Sequence, residues 1–452
     1  MMRSSDTDTI VAIATAPGEG AIGIVRLSGP QAIFLSDQCY RGRIRLQDAT
    51  PRTLSYGHFI SSGQDLDEVL ASVMYAPNSY TGEDTVEFNC HGGPFLLRRV
   101  VESLVILGAR VALPGEFTKR AFLNGKLDLS QAQAVADMIA APSELSLQSA
   151  YFQLRGGLKK RFNTMSESLL QVAMLLEAGL DFSEDVQIDI DRVRISLQHT
   201  LSEIELLVSS YHQGKLIREG VLVALVGKPN VGKSSLMNRL LEEDRAIVTD
   251  IPGTTRDTIE EAIDLEGIRA TLVDTAGIRE TTDPVEREGA RRSRQFIERA
   301  DLVLFIVDGS LPPSPDDEVL LTRSDLSAGF LVLNKSDLNI HSDWNTFLSA
   351  KRIVISALDG SGIPNLRQCI RERLIGQTVL STEIITQERQ MLALKQGQDG
   401  LLHALESLEL GNPGELIAMD VRIALDALSD IIGETTADDV LDQIFSTFCI
   451  GK

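Results

Sequence analysis

The alternation of apolar and polar positions changes character along the chain. Over residues 9–113, short β-branched runs at 9–14, 21–27, 69–75 and 86–90 alternate with Gly/Pro turns. Helical spacing appears within that stretch only near 31–38 and 95–107, so a small α+β domain is predicted. From about residue 128 the stretches 129–141, 143–178 and 193–219 keep apolar residues at helical spacing with almost no internal Gly or Pro. They predict helices. A continuous apolar run at 221–226 then leads into Gly-rich residues and a further helix-like stretch at 235–241. Apolar runs recur at 270–273, 302–307, 330–333 and 353–355, and strands alternating with helices imply a mostly parallel, doubly wound sheet. After about residue 375 the helical pattern returns through 390–410 and 415–433.

Helical sequence on both sides of an α/β unit marks an insertion, because domain termini lie close together at the surface. The expected organisation is an α+β domain over 1–122, a discontinuous helical domain over 123–217 and 379–452, and an inserted P-loop domain over 218–378. The fold class is therefore multidomain, α/β and α.

Length agrees with this division, since 452 residues suggest about three domains. Four scattered cysteines, Cys39, Cys90, Cys369 and Cys449, exclude a disulfide scaffold or a zinc site. No apolar run approaches membrane-spanning length, and residues 1–6 lack a signal-peptide core, so a cytoplasmic, reducing location without membrane contact is expected. The net charge of -21 excludes a coat-like nucleic-acid binder, which needs clustered Lys and Arg. That charge is uneven: -2 over 1–122, -3 over 123–218, -7 over 219–378 and -9 over the last 74 residues.

The chemistry concentrates in the inserted unit. Residues 227–234 read Gly-Lys-Pro-Asn-Val-Gly-Lys-Ser, a phosphate loop placed between an apolar run and a helix. Lys233 is placed to bridge β- and γ-phosphates, and the Ser234 hydroxyl to hold Mg²⁺. Asp274-Thr275-Ala276-Gly277 closes the apolar run 270–273, where an Asp holds the magnesium through water and a Gly N–H meets the γ-phosphate. Asn334-Lys335-Ser336-Asp337 follows the run 330–333, and its Asp carboxylate accepts both N1–H and the exocyclic amine of guanine. Adenine offers neither donor, so a carboxylate there selects GTP over ATP. Ser356-Ala357-Leu358 supplies a backbone amide for the guanine oxygen; its third position is Leu where many GTPases carry Lys or Arg. Gly253-Thr254-Thr255-Arg256-Asp257 contains Thr255, a switch Thr that reaches Mg²⁺ only with the γ-phosphate present.

One expected residue is missing. Many Ras-like GTPases place a water-orienting Gln after the D-x-x-G segment, and here that position is Ile278. The acids Glu280, Asp283, Glu286 and Glu288 follow as candidates, and the Asn230 carbonyl oxygen offers a place for a monovalent cation beside the phosphates.

These segments, together with Ala21–Arg26, Tyr80–Asp84, His91–Pro94, Pro114–Phe117, Ala121–Asp128 and the terminal Phe448-Cys449-Ile450-Gly451-Lys452, resemble the MnmE/TrmE family of tRNA-modification GTPases over nearly the whole chain. The resemblance implies a homodimer formed by the N-terminal domains. It implies work with an FAD-dependent partner of the MnmG type, placing an aminomethyl or carboxymethylaminomethyl group on C5 of the tRNA wobble uridine. The carbon would come from 5,10-methylene-tetrahydrofolate, with contacts at Arg26, Glu83, Lys126 and Lys452. Nucleotide contacts are implied at Asn230, Val231, Gly232, Lys233, Ser234 and Ser235, and at Thr249, Asp250, Ile251, Pro252, Gly253, Thr254 and Thr255. Further contacts fall on Asp274–Gly277, Asn334–Asp337 and Ser356–Leu358. Potassium maps to Asn230, Thr249, Ile251 and Thr254, and the water-orienting acid to Glu286. Cys449 reads either as a nucleophile at the modification site or as a small buried hydrophobe. Two rival functions remain, a switch GTPase without modification chemistry and a folate-binding scaffold whose GTPase times partner docking.

Overall fold

The structure, a computed structural model, describes residues 8–181, 189–243, 260–265, 267–274, 298–315, 317, 329–346, 351–376 and 383–451. Contacts divide the chain into two compact units, residues 1–139, 153–200 and 396–452 in one and residues 140–152 and 201–395 in the other.

The first unit opens with β1 (Ile10–Ile13), β2 (Gly20–Ser28), α1 (Ala32–Gln38), β3 (Tyr40–Gly42), β4 (Leu54–Ser61), β5 (Gln64–Met74), β6 (Thr85–Gly92), α2 (Pro94–Ile106) and β7 (Arg110–Val111). The strands form one seven-stranded sheet in the order β3-β4-β5-β6-β2-β1-β7. Alternation fixes its faces: Val69, Ala71 and Val73 of β5 are buried while Leu70 between them is exposed. Val86 and Phe88 of β6, with Val25 and Leu27 of β2, join the same core against Leu35 of α1 and Leu97, Val100 and Leu104 of α2. Strands β3 and β4 and helix α3 (Glu116–Leu123) lie outside the expected elements.

Helices α4 (Leu129–Ala140), α5 (Glu144–Leu154), α6 (Gly157–Asp181) and α7 (Ile190–Glu219) follow. Asp128 caps α4, its Oδ1 accepting the Gln131 N–H at 2.9 Å. The expected single helical stretch over 143–178 is broken into α5 and α6 at Gly156, whose φ of 80° no continuing helix can hold.

The second sheet is built from β8 (Val221–Val226), then, past α8 (Lys233–Glu243), β9 (Glu260–Leu265), β10 (Ile268–Asp274), β11 (Leu302–Asp308), β12 (Gly329–Asn334) and β13 (Arg352–Val354). Its order is β13-β12-β11-β8-β10-β9. All neighbours pair in parallel except β9, an antiparallel edge against β10. Val223 and Leu225 pack on one face with Leu236 and Leu240 of α8. Ala224 and Val226 pack on the other with Phe305 and Trp344, so both faces are covered and β8 reads as unbroken apolar sequence. Helix α9 (Ile363–Ile375) completes this architecture.

The chain ends in α10 (Glu388–Glu409), α11 (Gly414–Ile432) and α12 (Asp438–Ser446). Buried Ile417, Val421, Ala424, Leu428 and Ile431 form the apolar stripe of α11, which packs along α6. Among the described residues no helix is long and apolar enough to cross a membrane.

Candidate functional site

In the second unit the carboxyl ends of β8, β10, β12 and β13 carry the motif residues, with β8 at the point where the strand order reverses. That is where open α/β sheets bind ligands. The loop after β8 turns through Asn230 at φ 67° and Gly232 at φ 98°. A Cβ on Gly232 would lie 2.2 Å from Asn334 Nδ2, so glycine is needed there for both backbone and space. Lys233 is buried, and its ammonium donates to the carbonyls of Gly227 at 2.8 Å and Lys228 at 3.0 Å. Burial pushes its pKa below the usual lysine value, while the Asp274 carboxylate acts the other way. Ser234 Oγ donates to Asp274 Oδ2 at 3.3 Å, and Asp274 Oδ1 is buried with no hydrogen-bond partner among the described residues. A hydroxyl and an orphaned carboxylate oxygen are hard donors of the type magnesium takes. Among the described residues no group of three or more His, Cys, Asp or Glu could hold a metal ion.

Asn334 ties the loops together. Its Nδ2 donates to Val231 O at 2.8 Å, and its Oδ1 accepts the Ala357 N–H at 3.0 Å. One amide of the 356–358 segment, that of Ala357, is therefore engaged with Asn334. Ser356 Oγ donates to Asp337 Oδ1 at 2.7 Å, and Ser336 N–H to Ile355 O at 3.1 Å, which seats the 335–337 turn on the end of β13. Lys335, at φ 64°, donates to Asp308 Oδ2 at 2.6 Å. Burial alone would raise the Asp308 carboxyl; hydrogen bonds from Lys335 and Ser310 hold it below the carboxylate range. Sequence reasoning missed Asp308 and Arg239, whose guanidinium donates to the Leu358 carbonyl at 2.5 Å.

The first unit holds a second polar constellation. Arg26 on β2 donates to Glu87 Oε1 at 2.7 Å, and its guanidinium lies 5.5 Å from the Tyr80 ring centroid and 5.7 Å from that of Phe117. Glu83 accepts from Ser28 Oγ at 2.7 Å and from Arg120 Nη1 at 3.2 Å on both oxygens. Lys126 Nζ donates to Pro77 O at 3.0 Å. Behind Glu83, Arg120 and Arg110 are clasped by Asp8 and Glu116. Burial works to raise Asp8 and Glu116, yet hydrogen bonds from the two arginines hold both carboxyls below their usual range. The i,i+4 spacing of Glu116 and Arg120 was a sequence signal for that pair, although nothing in the sequence attaches Asp8 or Glu83 to it. The terminal segment seats on this unit: Gly115 N–H donates to Cys449 O at 3.4 Å, and a Cβ on Gly451 would lie 2.1 Å from Ile13 O. Cys449 is exposed, which removes the buried-hydrophobe reading.

Comparison with known proteins now bears on these sites. A family model described as GTP-binding protein TrmE N-terminus matches residues 9–126, and one described as MnmE helical domain matches 129–449. The tRNA modification GTPase MnmE of Moorella thermoacetica is 44% identical over 461 residues, covering 98% of this chain and 99% of that protein. Its counterpart from Alkaliphilus metalliredigens is 41% identical over 460 residues, covering 98% and 99%. The chain belongs to the MnmE family of tRNA modification GTPases. It is accordingly a GTPase. Partial likeness extends to the crystal structure of Era from Aquifex aeolicus bound to GDP and AlF4⁻, at 26% identity and a TM-score of 0.29, covering 40% of this chain and 67% of that one. The G domain of the T. maritima FeoB iron transporter aligns at 25% identity and a TM-score of 0.27, covering 34% and 98%.

For this MnmE-family chain the structure brings Lys233, Ser234 and Asp274 together, and separately links Val231, Asn334 and Ala357. Asn230 is an exposed turn residue of the same loop, and Ser235 lies in the first turn of α8. The expected contacts at Thr249, Asp250, Ile251, Pro252, Gly253, Thr254, Thr255, Thr275, Ala276, Gly277, Glu286 and Lys452 lie outside the described residues.

Proposed function

We propose that this chain is the GTP-hydrolysing component of a tRNA wobble-uridine modification complex, acting as a homodimer with an FAD-dependent partner of the MnmG type. In this reading the segments 1–122, 123–217 with 379–452, and 218–378 serve as folate and dimerisation, helical and GTPase parts. The observation that carries the GTP site is the side chain of Asn334, which fastens the phosphate loop to the guanine-reading segment. Lys233 binds the β- and γ-phosphates, the Asp337 carboxylate reads guanine, and Ser234 with Asp274 and Thr255 would hold magnesium. Magnesium, when bound, neutralises charge on the phosphate oxygens. The water-orienting group is Glu286, taking the place of the Gln that Ile278 lacks, and Asn230, Thr249, Ile251 and Thr254 receive potassium.

Arg26, Glu83 and Lys126 fit a tetrahydrofolate: cations suit its glutamyl tail and a carboxylate suits its pterin edge. The close seat of Gly451 on Ile13 and the Gly115–Cys449 contact bring residues 449–451 to the same unit, and this favours modification chemistry over a plain switch. Cys449, being exposed, is open to a nucleophilic role. The deciding test is nucleoside analysis of tRNA from cells lacking this protein. Loss of the C5-modified wobble uridine is expected, and an unchanged nucleoside profile would refute the reading. Replacing Glu286 by Ala should suppress hydrolysis with GTP affinity nearly intact; a parallel loss of binding would make Glu286 structural.

A further inference from the structure

Arg120 sits at the centre of the charged set in the first unit and is 4% exposed. Its Nη2 donates to Asp8 Oδ1 at 2.8 Å and Glu116 Oε1 at 3.0 Å, and its Nη1 to the Asp8 carbonyl at 2.7 Å. Arg110 holds the same two carboxylates from the other side, at 2.6 Å to each. Two cations and two carboxylates thus balance, and the planar guanidinium of Arg120 has its direction fixed. Glu83 is the surplus charge. Its side chain is 18% exposed, and it meets Arg120 through the two 3.2 Å contacts. On its other flank Ser28 spends its one hydrogen on Glu83, so the 2.6 Å contact between Ser28 and Thr81 must be donated by Thr81. The carboxylate is therefore pinned from β2 and from α3 together.

A buried ion set of this kind is weak evidence for stability, because packed apolar residues serve a core as well. What it supplies is orientation. A carboxylate offers about four acceptor positions, and the contacts from Arg120 and Ser28 use three. The remaining capacity belongs to a partly exposed side chain. We propose that Arg120 is a positioning residue of the folate site, holding the Glu83 carboxylate in the orientation that receives the paired N–H donors of a pterin. The inference rests on the folate reading above and goes beyond it by assigning a role to a residue that does not touch the ligand.

The experiment is calorimetric titration of the full-length protein with tetrahydrofolate, using wild type, Glu83→Gln, Arg120→Gln, the double variant and Arg120→Lys, with melting curves as folding controls. Each Gln variant should bind roughly tenfold more weakly, the size of a lost charge-assisted contact. The double variant should be no weaker than the weaker single, and Arg120→Lys should recover part of the loss. Losses that multiply, or Arg120→Gln binding like wild type, overturn the inference and leave the folate reading intact. Wild-type protein that takes up no tetrahydrofolate overturns both. Should Arg120→Gln not fold, Arg120→Lys replaces it in the same cycle. It keeps the charge and loses the fork, and a loss of about threefold that does not multiply with Glu83→Gln is then expected. Binding equal to wild type in that cycle overturns the assignment.

Discussion

A single amide, Asn334, illustrates how much one side chain can organise. It is 2% exposed, and both ends of its amide are used, one on the phosphate loop and one on the segment after β13. Asn334→Ala leaves Val231 O and Ala357 N–H without these partners, each an unsatisfied buried group costing about 1–3 kcal/mol. GTP affinity should fall roughly a hundredfold, a loss of about 2.7 kcal/mol, with a lowered melting temperature. Affinity unchanged in a folded variant would mean that the loops position themselves. The motif made Asn334 legible from the sequence. Arg120 was legible only as the i,i+4 partner of Glu116, since its other carboxylates come from positions 8 and 83 and only the fold assembles them. That cluster also sets a pH dependence. Asp8 and Glu116 sit below their ordinary values of 3.8 and 4.5, so the unfolded chain takes up protons at higher pH than the folded one. Their contribution is complete at neutral pH and is lost as the pH falls through the depressed folded values. Melting temperature followed from pH 7 to 3 should drop in acid, and Asp8→Asn with Glu116→Gln should flatten that limb; parallel curves would contradict the assignment.

At the scale of elements, legibility followed burial pattern. Strand β8 and the runs that became β11 and β12 were plain because both faces of a parallel sheet are apolar. Strand β4 was hidden because Gly57 interrupts it and Leu54 and Tyr56 are exposed on its outward face, so alternation fails. Strand β9 carries Glu260, Glu261 and Asp264 on an edge, which reads as loop. Helix α3 spans only eight residues, too short for periodicity to declare itself, yet it bears Phe117, Thr118 and Arg120. It also joins the terminal segment, through Lys119 to Asp442 at 2.6 Å. The seat of that segment is testable at Gly451, where φ is 98° and a side chain would strike Ile13 O. Gly451→Ala should release the last residues to carboxypeptidase and weaken tetrahydrofolate binding, while GTP turnover by the isolated protein stays unchanged. Equal protease resistance would show that the backbone accommodates a methyl group.

For the whole molecule, two consequences of the proposed function can be separated by the salts they respond to. A potassium site at Asn230 makes GTP turnover rise strongly in K⁺ over Na⁺ at equal ionic strength, and equal rates would remove Asn230 from that role. Recognition of tRNA obeys a different rule, counting phosphates neutralised rather than the identity of the cation. The chain carries -21 overall, with -7 over residues 219–378 and -9 over the last 74, against -2 over the first 122. A polyanion gains little from such a surface, so in the proposed complex most of the phosphate contacts are assigned to the partner. With a slope of roughly -0.9 per phosphate for duplex and -0.7 for single strands, the chain alone should bind tRNA weakly, with a log–log salt slope of about -2 or shallower. The complex with the FAD-dependent partner should bind more tightly, with a steeper slope. The measurement is Kd between 50 and 200 mM KCl, within the range where counterion release dominates. A steep slope for the chain by itself would place the tRNA grip on this protein, against its charge, and would send the search back to its locally basic segments.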